Sequence, residues 1–206
     1  MFSWNLLGIL LWVIAILYFI FIIQNIRKRR ITMIIKKHQK FSWTNFLIDL
    51  LEVAVFLVGI IWLFNKTLLD NPDLEDKSVI SSKITYQPLV MNTGSGNSSY
   101  VTINSKKKKI STQTYTYYRA GHKAQVSSDF ATVAYGKSPL DLNASRIPYQ
   151  KSQLKKMDRK YQRAYVATYT ATYKKVWQNG LGLHAGHTAT QYYLIRIPDA
   201  SFIKEK

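Results

Sequence analysis

The first third of the chain carries two long apolar runs separated by a strongly basic segment. Eighteen consecutive uncharged residues extend from Leu6 to Ile23, and a second run extends from Phe46 to Phe64. At about 1.5 Å of rise per residue, each run is close to the roughly 30 Å hydrocarbon core of a bilayer. The pattern predicts a transmembrane hairpin over residues 1–65, with helices at about 5–24 and 45–64 joined by a basic loop over 25–43.

Beyond residue 78 the pattern changes to the two-residue period of β-strands. The clearest example is residues 161–177, where Tyr161, Tyr165, Tyr169 and Tyr173 fall on one face and Thr and Val alternate with them. Thr and Tyr favour the pleated surface of a sheet. The segment is long for one strand, so we expect a bend or bulge within it. The alternation favours half-buried sheet surface over a stacking surface for bases or sugars.

The rest of the C-terminal region adds shorter elements. Strands are predicted at 79–90, 100–104, 110–119, 124–135 and 191–197. A helix is predicted near 151–160, where Leu154 and Met157 mark an apolar stripe. Residues 66–77 have the composition of a juxtamembrane linker. The predicted fold class is therefore a membrane protein with a two-helix hairpin, followed over 78–206 by an α+β or mostly β extracytoplasmic domain with an antiparallel sheet.

Charge and composition also predict how the hairpin is oriented in the membrane. The 206 residues include 29 Lys and Arg, 11 Asp and Glu and no cysteine, which excludes a disulfide scaffold and a cysteine nucleophile. The first apolar run has no basic segment before it and is too long for a cleaved signal peptide, so we expect it to be retained. Cations concentrate between the two runs, which predicts a cytoplasmic loop and extracytoplasmic termini in a cell-membrane protein. These topology determinants are Arg27, Lys28, Arg29, Arg30, Lys36, Lys37 and Lys40.

Two acidic residues interrupt the second apolar run. Asp49 and Glu52 are three positions apart, so their side chains lie on one face of the predicted helix. Intramembrane acids are candidates for a proton or cation relay. The alternative is that they reach interfacial water or pair with the basic loop and with Gln24 or Asn25, and the sequence favours this second interpretation.

The C-terminal region is also basic. From Ser78 onward there are 20 Lys and Arg against five acids. The densest run is Lys106, Lys107, Lys108 and Lys109, and Arg119 follows on the next predicted strand. These five residues form a candidate patch for anionic ligands such as phosphate-rich polymers or lipid headgroups. The alternative for the lysine run is a solvated turn that discourages strand aggregation. The expected extracytoplasmic location argues against nucleic acid as the partner.

A glycine-rich segment holds the only two histidines that are close in sequence in this region. His184 and His187 are weak metal-ligand candidates, since a zinc site needs a third ligand and His122 is only a distant one. A glycine-rich turn with exposed histidines is the favoured interpretation. No nucleophile elbow or paired-carboxylate motif occurs, so we predict no enzyme activity, no catalytic residues and no cofactor.

The layout of two N-terminal helices around a basic loop, followed by a Tyr- and Thr-rich domain, resembles uncharacterised small membrane proteins of lactic acid bacteria. The resemblance rests on arrangement and on Lys, Ile and Tyr usage, and it implies a place in the cell envelope but no known activity. The leading hypothesis is a membrane-anchored module that binds an anionic envelope polymer or a protein partner. The alternatives are an accessory subunit of a larger membrane complex, including an oligomer, and a metal-dependent hydrolase centred on the two histidines.

Overall fold

The computed structural model describes residues 3–37, 41–70, 73–93, 98–104 and 112–205. The chain divides into two compact units. The first comprises Met1–Pro72 together with Tyr173–His187, and the second comprises Asp73–Thr172 together with Thr188–Lys206. The first unit therefore contains the N-terminal helices and one segment that is distant from them in sequence.

Two long helices dominate the first unit. Helix α1 covers Asn5–Lys37 and helix α2 covers Trp43–Leu68, and both are long and apolar enough to cross a membrane. The prediction of two long apolar helices in this part of the chain is therefore confirmed. The predicted end of the first helix is wrong, because residues 25–37 continue the helix where a loop was expected. Lys, Arg, Ile and Met are compatible with a helix and no Gly or Pro interrupts them, so the change from apolar to basic residues does not end it.

Aromatic and small polar contacts join α1 to α2. Tyr18 and Phe19 both pack against Phe56, with ring centroids 6.4 and 5.3 Å apart. The Trp12 indole Nε1 donates to the Thr67 hydroxyl at 3.4 Å. Most other side chains of both helices are exposed, and almost none of either apolar segment is covered by the described protein.

Eight strands occur in the part of the chain after α2 that the structure describes. In chain order they are β1 Ile80–Pro88, β2 Val101–Asn104, β3 Thr114–Arg119, β4 His122–Ser127, β5 Ala131–Ala134, β6 Tyr165–Tyr173, β7 Thr188–Arg196 and β8 Ile203–Glu205. Helix α3 covers Lys151–Lys160, as predicted. The strands form two four-stranded sheets with the orders β1-β6-β7-β5 and β4-β3-β2-β8. A short fourth helix, α4, covers Trp177–Leu181 in the β6–β7 connection and belongs to the first unit.

The sheets are mixed, which corrects the expectation of an antiparallel sheet. β2, β3 and β4 pair antiparallel, and so do β6 and β7, but β5 runs parallel to β7 and β8 runs parallel to β2. The expected bulge is present as a register shift between Ala171 and Thr172. The predicted strand 124–135 is two strands, because Ser127 and Asp129 form local side-chain hydrogen bonds that turn the chain between the sheets.

Both sheets contribute to one core. Val101 and Tyr117 from one sheet cluster with Val166 and Ile195 from the other. On β6, Tyr165, Tyr169 and Tyr173 are all buried, so the tyrosine face is more deeply covered than expected. Tyr161 lies outside β6, at the end of α3. The core therefore fixes β6 and β7 as the central strands of their sheet.

Candidate functional site

Helix α3 carries five exposed cations within ten residues. Leu154 is fully buried and anchors the helix, while Met157 and Asp158 are half-buried. The remaining positions of the helix are exposed to solvent. Its exposed cations, which we call the α3 cationic face, are Lys151, Lys155, Lys156, Arg159 and Lys160.

The single acid of α3 does not neutralise this face. Asp158 Oδ1 accepts from Arg196 Nε at 3.1 Å and from the Tyr165 hydroxyl at 3.1 Å. Arg196 is fully buried on β7 and also donates to the Gly136 carbonyl oxygen at 2.5 Å. Burial, with Asp158 beside it, raises the pKa of Tyr165, so this hydroxyl stays neutral. Asp158 therefore ties α3 to the sheet, and the outward charge of the helix remains positive.

The sequence-predicted anionic-ligand patch is only partly within the described structure. Lys106–Lys109 lie outside the described residues. Arg119 is at the end of β3, where its Nη1 donates to Gln87 Oε1 at 2.7 Å. The α3 cationic face was not selected from the sequence, although its helix was predicted. Counting charge separately on the buried and exposed sides of that helix would have found it.

The two acids of α2, Asp49 and Glu52, contact a cation. Arg29 Nε donates to Asp49 Oδ1 at 2.8 Å, and Arg29 Nη1 and Nη2 donate to the two oxygens of Glu52 at 2.9 and 2.5 Å. Asn25 Nδ2 lies 3.5 Å from Glu52 Oε1. The one-turn spacing of the acids thus places both on the guanidinium of a single arginine. This arrangement favours helix pairing over a relay, because both carboxylates are already occupied.

The other predicted topology determinants whose side chains the structure describes make no comparable cluster. Arg27, Lys28 and Arg30 are exposed on α1. The backbone of Lys36 and Lys37 forms the last turn of α1, and Lys40 lies outside the described residues. The basic segment is therefore the C-terminal part of one continuous helix, α1.

The two histidines, His184 and His187, lie in different environments. His184 stacks on Tyr173 with ring centroids 4.9 Å apart, and its Nε2 atom is buried with no hydrogen-bond partner in the structure. His187 is exposed. No group of three or more His, Cys, Asp or Glu side chains suited to a metal ion occurs among the described residues. Helix α4, at Trp177–Leu181, ends within the predicted glycine-rich segment over 180–187, and the prediction of a simple turn missed this helix.

Tyr173 connects this segment to the end of α2. Its hydroxyl donates to Asp70 Oδ2 at 3.4 Å. Burial, together with the charge of Asp70 and this hydrogen bond, raises the pKa of Tyr173 to about 12. The arrangement is therefore a structural contact that holds residues 173–187 against the helical unit.

Comparison with known proteins gives one match. A family model whose description reads only “:-like” matches residues 3–204, which is nearly the whole chain. No curated protein and no solved structure matches significantly. The match thus extends over both units and specifies no activity.

Proposed function

The chain belongs to the uncharacterised family matched over residues 3–204, and we propose that it is a membrane-anchored, non-enzymatic binding module whose α3 cationic face contacts an anionic envelope polymer. The proposal has two parts, the anchor and the ligand. Each has its own support and its own experiment.

The anchor is supported by the apolar surface of α1 and α2. Nearly all of both apolar segments is uncovered by protein in the described chain. Exposed apolar patches on soluble proteins rarely exceed a few hundred Å². A bilayer would cover the apolar segments of both helices, and the cations from Arg27 to Lys37 support a cytoplasmic α1–α2 connection.

The orientation is tested with single cysteines in a chain that has none of its own. Cysteines are placed at Ser42, next to the start of α2, and at Ser98, an exposed position before β2. In intact cells an impermeant thiol reagent is expected to label only the Ser98 variant. Labelling of both after lysis is the control, and labelling of the Ser42 variant in intact cells would refute the orientation.

A polymer ligand is supported by one observation: α3 exposes five cations within ten residues while its only acid is occupied by Arg196. The cations are spread along a helix about 15 Å long. A linear arrangement of charges suits a polyanion, whose repeated groups meet several cations at once. The resemblance to small membrane proteins of lactic acid bacteria favours a phosphate-containing wall polymer.

The binding experiment uses the full chain in neutral detergent and immobilised poly(glycerol phosphate). We expect binding that weakens as salt is raised. Changing Lys151, Lys155, Lys156 and Arg159 to Gln should reduce binding at least about tenfold. Gln has a helix propensity similar to that of Lys and Arg, so α3 should persist.

A matched control removes the same charge elsewhere in the second unit. Lys83, Lys123, Lys137 and Arg146 are exposed, and none lies on α3. Their change to Gln should reduce binding less than threefold. Equal losses in the two quadruple variants would show that net charge, and not the α3 cationic face, determines binding.

An accessory subunit of a larger membrane complex is the second candidate. It is favoured by Gly59 on α2, where an added Cβ would have no heavy atom within 4 Å. Open small-residue positions allow another transmembrane helix to approach closely. Crosslinking in native membranes should then recover a heteromeric product, and recovery of monomer alone would contradict this candidate.

A further inference from the structure

A cavity of about 280 Å³ lies between the basic part of α1 and the start of α2. Its lining combines charge with apolar surface. Arg30, Ser42 and Asn45 supply polar atoms, and Met33 and Phe46 supply apolar ones. At about 30 Å³ per water molecule the volume equals roughly nine waters, which suits a small phosphate-bearing headgroup but not a whole lipid.

The charges around the cavity favour an anion. Arg29 and Asp49 also line it, but they pair with each other, and Arg29 pairs with Glu52 as well. Arg30 is exposed and forms no ion pair with a carboxylate among the described residues. The cavity lining thus has two cations, Arg29 and Arg30, against one acid, and Arg30 is the cation left for a ligand.

The cavity lies beside aromatic residues typical of a membrane interface. Phe41 packs edge-on against Trp43 with ring centroids 5.2 Å apart, and Trp43 packs edge-on against Phe46 at 6.0 Å. Trp is one of the two residue types that concentrate at the headgroup level of bilayers, so Trp43 suits this depth. Arg30 is seven residues beyond Ile23, or about 10 Å along the helix, which also corresponds to the headgroup region beyond the apolar run.

We propose that this cavity is a binding site for the headgroup of an anionic phospholipid. Arg30 pairs with the phosphate, and the Ser42 hydroxyl and Asn45 amide supply hydrogen bonds. The Ser42 side chain is available for this because it makes no capping hydrogen bond to α2. Met33, Phe41 and Phe46 contact the apolar part of the same lipid. The site depends on insertion of α1 and α2 in a bilayer but not on the polymer ligand.

The test is lipid retention by the full chain, measured by native mass spectrometry. The protein is exposed to phosphatidylglycerol and phosphatidylcholine with identical acyl chains. Phosphatidylglycerol should be retained preferentially, and free glycerol phosphate at the same concentration should not displace it. Arg30→Gln should lower phosphatidylglycerol retention about fivefold, since one cation contributes about that factor at an anionic surface.

Two controls distinguish lipid binding in this cavity from general electrostatic attraction of anionic lipid to the protein surface. Lys28→Gln removes an exposed cation that does not line the cavity, and its effect should stay below twofold. Asn45→Phe fills the cavity without changing charge and should also lower retention, whereas Thr44→Phe beside it should not. Equal losses for Arg30→Gln and Lys28→Gln, no effect of Asn45→Phe, or equal retention of the two lipids would each overturn the site.

The same samples distinguish this site from the proposed polymer function. Arg30→Gln should bind poly(glycerol phosphate) as the unmodified chain does. The quadruple α3 variant should retain phosphatidylglycerol normally. A loss of lipid retention in the α3 variant would contradict the assignment of the lipid to this cavity.

Discussion

The side chain of Asn5 and the main chain of Ala185 exchange two hydrogen bonds. Asn5 Nδ2 donates to the Ala185 carbonyl oxygen at 3.2 Å, and the Ala185 N–H donates to Asn5 Oδ1 at 2.9 Å. The two residues are 180 positions apart in sequence. One amide side chain thus holds the first turn of α1 against the segment that connects β6 to β7.

Asn5→Ala should release the Ala185 amide. Removing both hydrogen bonds leaves a partly buried N–H and carbonyl unpaired, at a cost of about 1–2 kcal/mol. Hydrogen–deuterium exchange of the peptide containing Ala185 should then accelerate roughly 5- to 30-fold. Asn5→Asp should be worse than Ala, because it places a carboxylate oxygen against the carbonyl. Asn143→Ala, at an exposed position in the second unit, is the control, and unchanged exchange in Asn5→Ala would contradict the role of the pair.

Close backbone contact between α1 and residues 180–183 requires Gly8. A Cβ added at Gly8 would lie 2.6 Å from a side-chain carbon of Leu183 and 2.7 Å from the Gly180 carbonyl oxygen. Such distances force the segment away from the helix. Gly8→Ala should therefore lower the thermal unfolding temperature in detergent and expose residues 173–187 to limited proteolysis, despite the higher helix propensity of Ala.

Gly59→Ala is the matched substitution on α2. An added Cβ there meets nothing within 4 Å. This variant should be neutral or stabilised by up to about 1 kcal/mol in detergent, because Ala replaces Gly in a helix interior. If Gly8→Ala and Gly59→Ala behaved alike, the close contact at Gly8 would not be a determinant of stability.

The elements predicted best were those that local pattern determines. The apolar runs of α1 and α2, the stripe of Leu154 on α3 and the alternation along β6 each follow from side-chain periodicity. The end of α1 was predicted wrongly because hydropathy marks where a lipid-facing surface ends, while the helix itself continues through residues of adequate propensity. The one-face spacing of Asp49 and Glu52 was visible, but its partner among seven nearby cations was not.

The elements that were missed depend on contacts distant in sequence. β8 has only three residues, and it forms by pairing in parallel with β2, about 100 positions earlier in the chain. Arg196 pairs with Asp158, so this acid does not neutralise the α3 cationic face. The pair forms only because β7 lies beside the helix. Helix α4 packs in the unit of α1 although it lies in a connection between two strands. No local sequence signal reports such pairings.

Arg29 should stabilise the pair of helices only while its two acidic partners are charged. The side chains of Arg29, Asp49 and Glu52 are about one-fifth exposed. Arg29→Gln leaves two unpaired carboxylates between the helices and should cost about 1–3 kcal/mol, less than a fully buried pair. The triple variant Arg29→Gln, Asp49→Asn, Glu52→Gln should recover most of this loss in thermal unfolding.

Two further variants separate charge from geometry at this cluster. Arg27→Gln removes an exposed cation from the same helix and should leave the unfolding temperature unchanged within about 2 °C, in keeping with the small effect of most surface substitutions. Arg29→Lys should recover only part of the stability, because an ammonium cannot engage both acids in the forked geometry of a guanidinium. Failure of the triple variant to recover would show that the acids are not the source of the cost.

Alkaline pH should loosen the contact of Tyr173 with Asp70. Burial and the Asp70 carboxylate raise the pKa of Tyr173 to about 12, whereas a tyrosine in the unfolded chain titrates near 10. Between these values the unfolded chain has lost the proton and the folded chain still holds it. The free energy of unfolding therefore falls as pH rises from about 10 to about 12, and the contribution is complete below pH 10.

Tyrosinate absorbance measures this titration directly. The difference in absorbance between the unmodified chain and Tyr173→Phe should rise with a midpoint near pH 12. Asp70→Asn should move that midpoint toward 10, because the nearby negative charge is removed while burial remains. Over the same range the free energy of unfolding of Tyr173→Phe should decline less steeply than that of the unmodified chain. A midpoint near 10 in the unmodified chain would mean that Tyr173 is exposed to solvent. Residues 173–187 would then not pack stably against the end of α2.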